Sequence, residues 1–172
     1  MEIIPLCYFC LMTLAKDAQE LAAAGPRLII VCGPPGAGKT TLARALERRL
    51  RAVRFCADEW MAALALNLYD ELSRAKVEAL QWKLGRTLLG HGLIVIVEWG
   101  TWGRAERDTL RLEARALGAA VELHYVSAPP EVLFDRIRRR GLENPPIERG
   151  APFYNAFTRM RELLPGYRPR TK

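Results

Sequence analysis

Eight consecutive residues of this chain have the types and the spacing that could bind a polyphosphate. In order, they are Gly33, Pro34, Pro35, Gly36, Ala37, Gly38, Lys39 and Thr40. Glycines let a loop bring its backbone N–H groups close to phosphate oxygens, where a side chain would block the approach. The lysine adds a positive charge for the outer phosphates, and the threonine hydroxyl is placed to hold Mg²⁺. The pattern therefore predicts a P-loop that binds the phosphates of a nucleotide together with Mg²⁺, without deciding between ATP and GTP.

The residues on both sides of this loop predict the two elements that must position it. The apolar run Leu28–Cys32 is typical of a buried strand leading into the loop. Thr41–Arg51 has apolar residues on roughly one helical face, so the N-terminal end of this helix points its dipole at the same anion. The alternative is a ligand-free turn rich in glycine and proline. We assign nucleotide binding to these residues of the loop and its end: Gly33, Pro35, Gly36, Ala37, Gly38, Lys39, Thr40 and Thr41.

Asp58 follows the second predicted strand, Ala52–Cys56. In a doubly wound sheet the carboxyl end of that strand borders the same crevice as the phosphate loop, which lets a carboxylate there meet a substrate hydroxyl. Asp58 would accept the hydroxyl proton as the phosphoryl group arrives, or orient the nucleophile. Glu59 is a weaker candidate for this role. The structural alternative is that Asp58 caps the N-terminus of a helix.

The third predicted strand, Leu93–Glu98, ends in four apolar residues followed by an acid, which is typical of a Walker B strand. An acid there can hold Mg²⁺ or a water of its shell, because the strand lies close to the strand of the phosphate loop. We therefore assign the metal to Thr40 and Glu98. The alternative for Glu98 is a carboxylate that only ends a strand in solvent.

Aromatic residues around the predicted site indicate an acceptor pocket. Trp99 and Trp102 lie close to glycines just after the third strand, and Trp60 and Tyr69 follow the second strand. Their rings could form an apolar wall on which an acceptor stacks. Equally, the tryptophans could close the core beneath the loop.

Arginines occupy the end of the helix predicted over Glu131–Arg140. Arg136 and Arg140 are four residues apart and therefore share one helical face. Phosphoryl transfer builds negative charge on the γ-phosphate oxygens, and arginines of a lid can neutralise it while water is excluded. We predict that both arginines are catalytic, together with Lys39 and Asp58. The alternative is a cationic helix end that complements its own dipole.

Short apolar strands alternate with helical stretches along the chain. The predicted strands are Leu28–Cys32, Ala52–Cys56, Leu93–Glu98 and Val121–Val126. The predicted helices are Thr41–Arg51, Tyr69–Leu89, Arg104–Leu117 and Glu131–Arg140, with a further one over Phe153–Leu164. This alternation predicts a doubly wound α/β fold around a parallel sheet.

Positive charge is concentrated at one end of the chain, whose net charge is +7. Residues 1–135 carry 16 basic and 16 acidic side chains, whereas residues 136–172 carry 10 basic and 3 acidic ones. A cationic end on a neutral body favours an anionic partner, which could be nucleotide phosphate, a polynucleotide or an acidic lipid. The alternative is a solvent-exposed basic helix that only aids solubility.

The chain has 172 residues, enough for one domain with a substantial core. We predict a helical extension over residues 1–26 and a P-loop kinase-like domain over residues 27–172. The apolar run Ile3–Ala15 is too short to span a bilayer, and Glu2 is the only charged side chain before it, unlike a secretory signal. We expect reduced cysteines, a cytoplasmic location and no membrane partner. The extension could serve oligomerisation, so a homodimer is one expectation.

Two of the four cysteines, Cys32 and Cys56, fall in or beside predicted strands and are interpreted as small buried apolar residues. Cys7 and Cys10 have the spacing of metal ligands, but no second cysteine pair follows and no histidine is near. A zinc site is therefore disfavoured.

The chain resembles the P-loop kinase-like ATPase family that includes chloramphenicol phosphotransferase and the zeta toxins. The resemblance covers about Arg27–Gly141 and rests on the phosphate loop, Asp58–Met61, Val97–Arg107 and the arginine helix. It implies a fold of the nucleoside-kinase-like P-loop NTPase type, with a parallel five-stranded core and a helical lid. It also implies ATP with Mg²⁺, a base at Asp58, two lid arginines, Arg136 and Arg140, and transfer to a hydroxyl. Glu98 departs from the aspartate usual at its position. Substrates differ widely across the family, so the acceptor is not implied.

The main hypothesis is an ATP-dependent phosphotransferase that moves the γ-phosphate to a hydroxyl of a small molecule, such as an antibiotic, a sugar or a nucleoside-like compound. One alternative is a 5′-hydroxyl polynucleotide kinase, which would explain the basic C-terminal region. Nucleic acid ranks below a small molecule because the sequence has no separate RNA-binding module. Another alternative is a nucleotide-dependent binding or regulatory module with slow hydrolysis. The set of candidate base, metal acid and arginines favours an enzyme.

Overall fold

The computed structural model describes residues 25–101 and 103–143, apart from the side chains of residues 134 and 140–143. Contacts divide the chain into two compact units. The first contains the described residues 25–33 and 38–127, and the second contains residues 34–37 and 128–143. The extension predicted over residues 1–26 lies almost wholly outside the described residues, as does the helix predicted over Phe153–Leu164.

Four parallel strands form the sheet of the first unit. They are β1 (Arg27–Cys32), β2 (Val53–Phe55), β3 (Ile94–Val97) and β4 (Ala120–Tyr125). Their order is β2-β3-β1-β4, and each neighbouring pair is parallel. Strands β1 and β3 are apolar and buried along almost their whole length, because a parallel sheet has helices on both faces. The doubly wound fold is confirmed; of the five strands that the resemblance implies, the described residues contain four.

Among the residues described, four helices belong to the first unit and one to the second. They are α1 (Lys39–Leu50), α2 (Ala57–Ala63), α3 (Glu71–Gly90), α4 (Arg104–Ala116) and α5 (Pro130–Glu143). Helix α2 is not among the helices predicted above and enters the sequence analysis only through the alternative that Asp58 caps a helix. It has only 7 residues, and its N-cap, Cys56, makes no side-chain cap hydrogen bond. In this part of the chain no helix is long and apolar enough to cross a membrane.

The two faces of the sheet carry different side chains. One face belongs to a single hydrophobic core that includes Leu28, Ile30, Phe55, Val95 and Val97 of the strands with Met61, Val77 and Leu110 of the helices. Side chains alternate along a strand, so Ile29 and Ile96 face the other side, against which α1 packs. Arg54 lies beside Ile96 in register, and Glu98 comes two residues after Ile96. The α1 face therefore contains a pair of charged residues within its apolar layer.

Candidate active site

The first unit holds both ends of the phosphate loop. Gly33 follows β1 with a φ of 143°, and a Cβ atom there would lie 2.0 Å from the carbonyl oxygen of Val126. No side chain fits at this position, which explains the first glycine of the pattern. Gly38 has a φ of 101° and precedes α1. The loop is therefore shaped by glycines in a conformation that other residues rarely adopt.

Helix α1 begins at Lys39, the loop lysine. Its Nζ donates a hydrogen bond of 2.9 Å to the carbonyl oxygen of Gly33, which holds the ammonium group at the loop. The first N–H groups of a helix have no acceptor within the helix and lie at the positive end of its dipole. The start of α1, with Thr40 and Thr41 exposed in its first turn, is therefore suited to an anion.

The second unit contains the middle of the loop, residues 34–37, together with α5. Gly36 has a φ of 78°, and a Cβ atom there would lie 3.0 Å from the carbonyl oxygen of Leu133. Arg136 donates from Nη1 to the carbonyl oxygens of Gly36 at 3.1 Å and Ala37 at 3.5 Å. The structure thus brings Arg136 to the loop residues of its own unit. The side chain of Arg140 lies outside the described residues, so its role stays a prediction.

Asp58 lies in the first turn of α2, and its side chain is 66% exposed. Arg74 of α3 donates to its Oδ1 at 2.6 Å and also to the carbonyl oxygen of Leu68 at 2.9 Å. The N-cap of α2 is Cys56, so the alternative that Asp58 caps a helix is wrong. Asp58 is instead an exposed carboxylate whose orientation is set by an arginine, which the sequence analysis does not single out.

Two further acids, Glu78 and Glu106, interact with each other and are not identified from the sequence. Glu78 of α3 lies one turn after Arg74, with 4.0 Å between Oε1 and Nη1. Burial raises the pKa of Glu78 to about 7; the charge of Arg74 opposes this rise, and the charges of Glu106 and Asp58 add to it. Burial also raises the pKa of Glu106. The first turns of α2 and α4 and the first half of α3 thus bring three carboxylates, Asp58, Glu106 and Glu78, close enough for their charges to interact.

Glu98 is buried rather than exposed to solvent at the end of β3. Its side chain is 2% exposed, and its Oε1 lies 3.2 Å from Nη1 of Arg54. The alternative of a carboxylate in solvent is therefore wrong. Within the described residues, Oε2 of Glu98 has no hydrogen-bond partner, so one oxygen stays available to a cation or its water.

Mg²⁺ is usually bound in such sites by one or two protein ligands together with phosphates and waters. No group of three or more His, Cys, Asp or Glu in the described residues could hold a metal by itself. The exposed hydroxyl residue Thr40 and the free Oε2 of Glu98 fit a metal that is held mainly by the nucleotide. Their assignment as metal residues stays a prediction.

Trp99 and Trp60 contribute to the core. Trp99 is 5% exposed and its Nε1 donates to Oε1 of Gln81 at 2.7 Å. Gln81 is completely buried, and its Nε2 donates to the carbonyl oxygen of Cys56 at 3.1 Å. Trp60 packs edge-to-face on Phe55 with ring centroids 6.0 Å apart. For these two tryptophans the core interpretation applies, and Trp102 lies outside the described residues.

Both described cysteines are buried free thiols, as predicted. Burial raises the pKa of Cys56 to about 12, and the adjacent Glu98 carboxylate adds to the rise. Burial also raises the pKa of Cys32, against the opposing charges of Arg107 and Lys39. Arg107 of α4 is thus a second cation near the end of β1, and it donates to the carbonyl oxygen of Thr101 at 2.9 Å.

A parallel sheet, a glycine loop after β1 and a helix that begins at the loop lysine define a P-loop nucleotide-binding domain of the kinase-like type. Residues 28–162 match the family described as AAA domain (AAA_33). Since the match covers most of the sequence, the chain belongs to that family.

Two proteins with similar sequences are an uncharacterised protein and a kinase. An uncharacterised protein of Mycobacterium tuberculosis is 35% identical over 138 residues, which are 71% of this chain and 27% of that protein. The chain therefore spans about a quarter of the length of the mycobacterial relative. A shikimate kinase of Bradyrhizobium diazoefficiens is 26% identical over 157 residues, which are 89% of this chain and 73% of the enzyme.

The crystal structure of Kti12 from Chaetomium thermophilum in complex with ADP-AlF3 has the same fold. It is 25% identical, with a TM-score of 0.59, and the similarity covers 77% of this chain and 79% of Kti12. The chain is thus a P-loop protein with kinase relatives. The narrower resemblance to chloramphenicol phosphotransferase and the zeta toxins stays a prediction, as do the roles of individual residues.

Proposed function

We propose that the chain is an ATP-dependent phosphotransferase that moves the γ-phosphate of ATP to a hydroxyl of a small molecule. The observation that carries the proposal is the place of Asp58, an exposed carboxylate just after β2. In open parallel sheets, ligands bind at the carboxyl ends of the strands, and Gly33 follows β1 at that same end. The similarity to a shikimate kinase supports a hydroxyl acceptor.

In the proposed reaction the acceptor oxygen attacks the γ-phosphorus, and the bond from that phosphorus to the β–γ bridging oxygen breaks, so that ADP leaves. Asp58 accepts the hydroxyl proton or orients the hydroxyl, while Arg74 holds the carboxylate in place. Lys39 binds the outer phosphates. Arg136 and Arg140 are proposed to neutralise the charge that develops on the γ-phosphate.

Thr40 and Glu98 would hold Mg²⁺, Thr40 through its hydroxyl and Glu98 through its free Oε2. When bound, Mg²⁺ neutralises charge on the phosphates and orients them. Because Arg54 already neutralises part of the Glu98 charge, the role of Glu98 is closer to holding a water of the metal than to direct binding.

The test is transfer of label from γ-labelled ATP to a panel of hydroxyl compounds. The panel contains shikimate, gluconate, simple sugars, nucleosides and hydroxylated antibiotics. We expect label on at least one of these compounds, with Mg²⁺ required. If label appears only as free phosphate under all conditions, the phosphotransferase proposal is wrong and a regulatory ATPase module, in which occupancy by ATP controls a partner, takes its place.

A second candidate acceptor is the 5′-hydroxyl of a polynucleotide. It is favoured by the excess of positive charge in residues 136–172 and by the exposure of Arg138 and Arg139 on α5, whose side chains are 77% and 75% exposed. Both arginines pair with Asp135, which reduces their free charge. If this candidate is correct, a 5′-hydroxyl oligonucleotide is labelled, and its binding weakens steeply with salt.

A further inference from the structure

We propose that Arg54 is a positioning residue for phosphoryl transfer, because it fixes helix α2, and with it Asp58, relative to the buried Glu98 and to the helix that follows the phosphate loop. The inference rests on the proposed function for the role of Asp58. The contacts that carry it involve no substrate.

The Arg54 guanidinium contacts three carboxylates from three different elements. Its Nε lies 2.9 Å from Glu47 of α1, one Nη lies 2.6 Å from Glu59 of α2, and the other Nη lies 3.2 Å from Glu98 after β3. A planar guanidinium offers its donors in fixed directions. Nε and one Nη donate hydrogen bonds to Glu47 and Glu59, so these two bonds fix α2 relative to α1. The other Nη has no hydrogen-bond partner among the described residues, and its contact with Glu98 is an ion pair that depends on distance rather than on direction.

The burial of Arg54 makes these contacts important. Its side chain is 7% exposed and that of Glu98 is 2% exposed, and a buried charge that loses its partner is strongly destabilising. Burial opposes the Arg54 charge, but hydrogen bonds to Glu59 and Glu47 outweigh it and raise the pKa of Arg54. Hydrogen bonds from Arg54 and Arg44 lower the pKa of Glu59. Arg54 and Glu59 therefore both stay charged.

Helix α2 has other anchors, the Asp58–Arg74 pair and the packing of Trp60 on Phe55, but of these contacts only that of Arg54 also reaches the buried Glu98. The helix is short. It has 7 residues, buries only Ala57 and Met61, and has no side-chain N-cap. Asp58 is the direct neighbour of Glu59, so the Arg54–Glu59 contact acts on the turn that carries the proposed base. A misplacement of about 1 Å near the reacting atoms can lower a rate about 100-fold. Loss of Arg54 would therefore affect transfer more than nucleotide binding.

The first test is Arg54→Lys, which keeps the charge but loses the planar fork. We expect kcat for transfer from ATP, to the best acceptor or to water, to fall about 10- to 100-fold. ATP affinity measured by calorimetry should change less than about two-fold, because a positioning effect lies in kcat. The matched control is Arg44→Lys, which alters the exposed contact to Glu59 at 2.8 Å and should change kcat less than about two-fold.

The second test places Arg54→Lys in an Asp58→Asn background. If Arg54 acts through Asp58, the second substitution adds less than about a two-fold loss, since residues that act as a unit are not additive. An equal loss in both backgrounds would overturn the proposal, because an effect on stability alone does not depend on Asp58.

The third test needs no turnover. Hydrogen exchange of the amides of Ala57–Ala63 should be about ten-fold faster in Arg54→Lys than in wild type or Arg44→Lys. Unchanged exchange in α2 would overturn the proposal. A shift of more than about two-fold in the Mg²⁺ concentration for half-maximal ATP binding would place the effect at Glu98 and would overturn it as well.

The proposal can still be tested if Arg54→Lys does not fold or if the wild-type chain transfers no phosphate. If Arg54→Lys does not fold, Glu59→Gln removes the link to α2 while Glu47 and Glu98 remain on Arg54, and the same results are expected. If the wild-type chain transfers no phosphate, the proposed function is wrong, and hydrogen exchange still decides whether Arg54 positions α2.

Discussion

The end of β1 at Gly33 and the end of β2 at Asp58 are built in different ways. At Gly33 the geometry is set by the backbone, because a φ of 143° and a carbonyl oxygen 2.0 Å from any Cβ exclude every side chain. At Asp58 it is set by an ion pair with Arg74, which is 16 residues away. The shape of the phosphate loop thus depends on a contiguous steric pattern, whereas the proposed acceptor side depends on side chains that can be exchanged separately.

The strongest test of this contrast is Asp58→Asn. We expect phosphoryl transfer to fall about 100- to 10,000-fold, as for loss of a general base, while ATP affinity changes less than about two-fold. Transfer is followed by labelled phosphate, and affinity by calorimetry. The control is Asp108→Asn, since Asp108 also pairs with arginines but lies on α4. Unchanged turnover in Asp58→Asn would remove Asp58 from the mechanism.

The steric side of the contrast is tested by Gly33→Ala. The added Cβ must displace the backbone at Val126, so we expect loss of about 3 kcal/mol of unfolding free energy and of measurable ATP binding. Denaturant unfolding and calorimetry measure the two effects. The control is Gly90→Ala, because a Cβ at Gly90 meets nothing within 4 Å. If Gly33→Ala binds ATP with wild-type affinity, the close approach of the Val126 carbonyl oxygen to Gly33 is not required for binding, and the steric explanation is wrong.

The smallest expected effect concerns Glu78 and depends on pH. Burial raises its pKa from 4.5 to about 7, so between these values the folded chain holds a proton that the unfolded chain releases. The free energy of unfolding of the wild-type chain therefore falls as the pH rises from 4.5 through 7. Because glutamine does not titrate, we expect the unfolding free energy of Glu78→Gln, relative to that of wild type, to rise by roughly 1–3 kcal/mol between pH 4.5 and pH 8.

Denaturant unfolding at several pH values measures this gain. The control is Glu71→Gln, an exposed position in the first turn of the same helix. A difference between Glu78→Gln and wild type that is the same at pH 4.5 and pH 8 would contradict the prediction.

Sequence patterns predict the regular elements well and the short ones poorly. The four strands are predicted within about two residues of their bounds, because buried parallel strands are apolar along almost their whole length, as β3 is. The long helix α3 is also predicted, but the predicted start, Tyr69, lies two residues before the observed start at Glu71, where Asp70 is the N-cap. Helix α2 is not, because a helix of 7 residues has too few turns for its apolar spacing to be recognised.

The candidate site divides in the same way. Gly33, Lys39 and Asp58 can be identified because each stands at a fixed distance from a predicted strand. Arg74 and Arg54 cannot, because a single arginine in a helix or in a short strand has no pattern of its own. An arginine in the middle of a strand, between Val53 and Phe55, is the one signal that could have indicated a buried partner.

The sequence by itself determined the phosphate loop, the strand before it and the helix after it, because these depend on neighbouring residues and on steric limits of the backbone. Only the tertiary structure decided that Glu98 is buried against Arg54, that Asp58 is held by Arg74 and that Trp99 belongs to the core with Gln81. Each of these contacts joins residues at least 16 positions apart. Their energies depend on burial and distance, which a linear pattern does not contain.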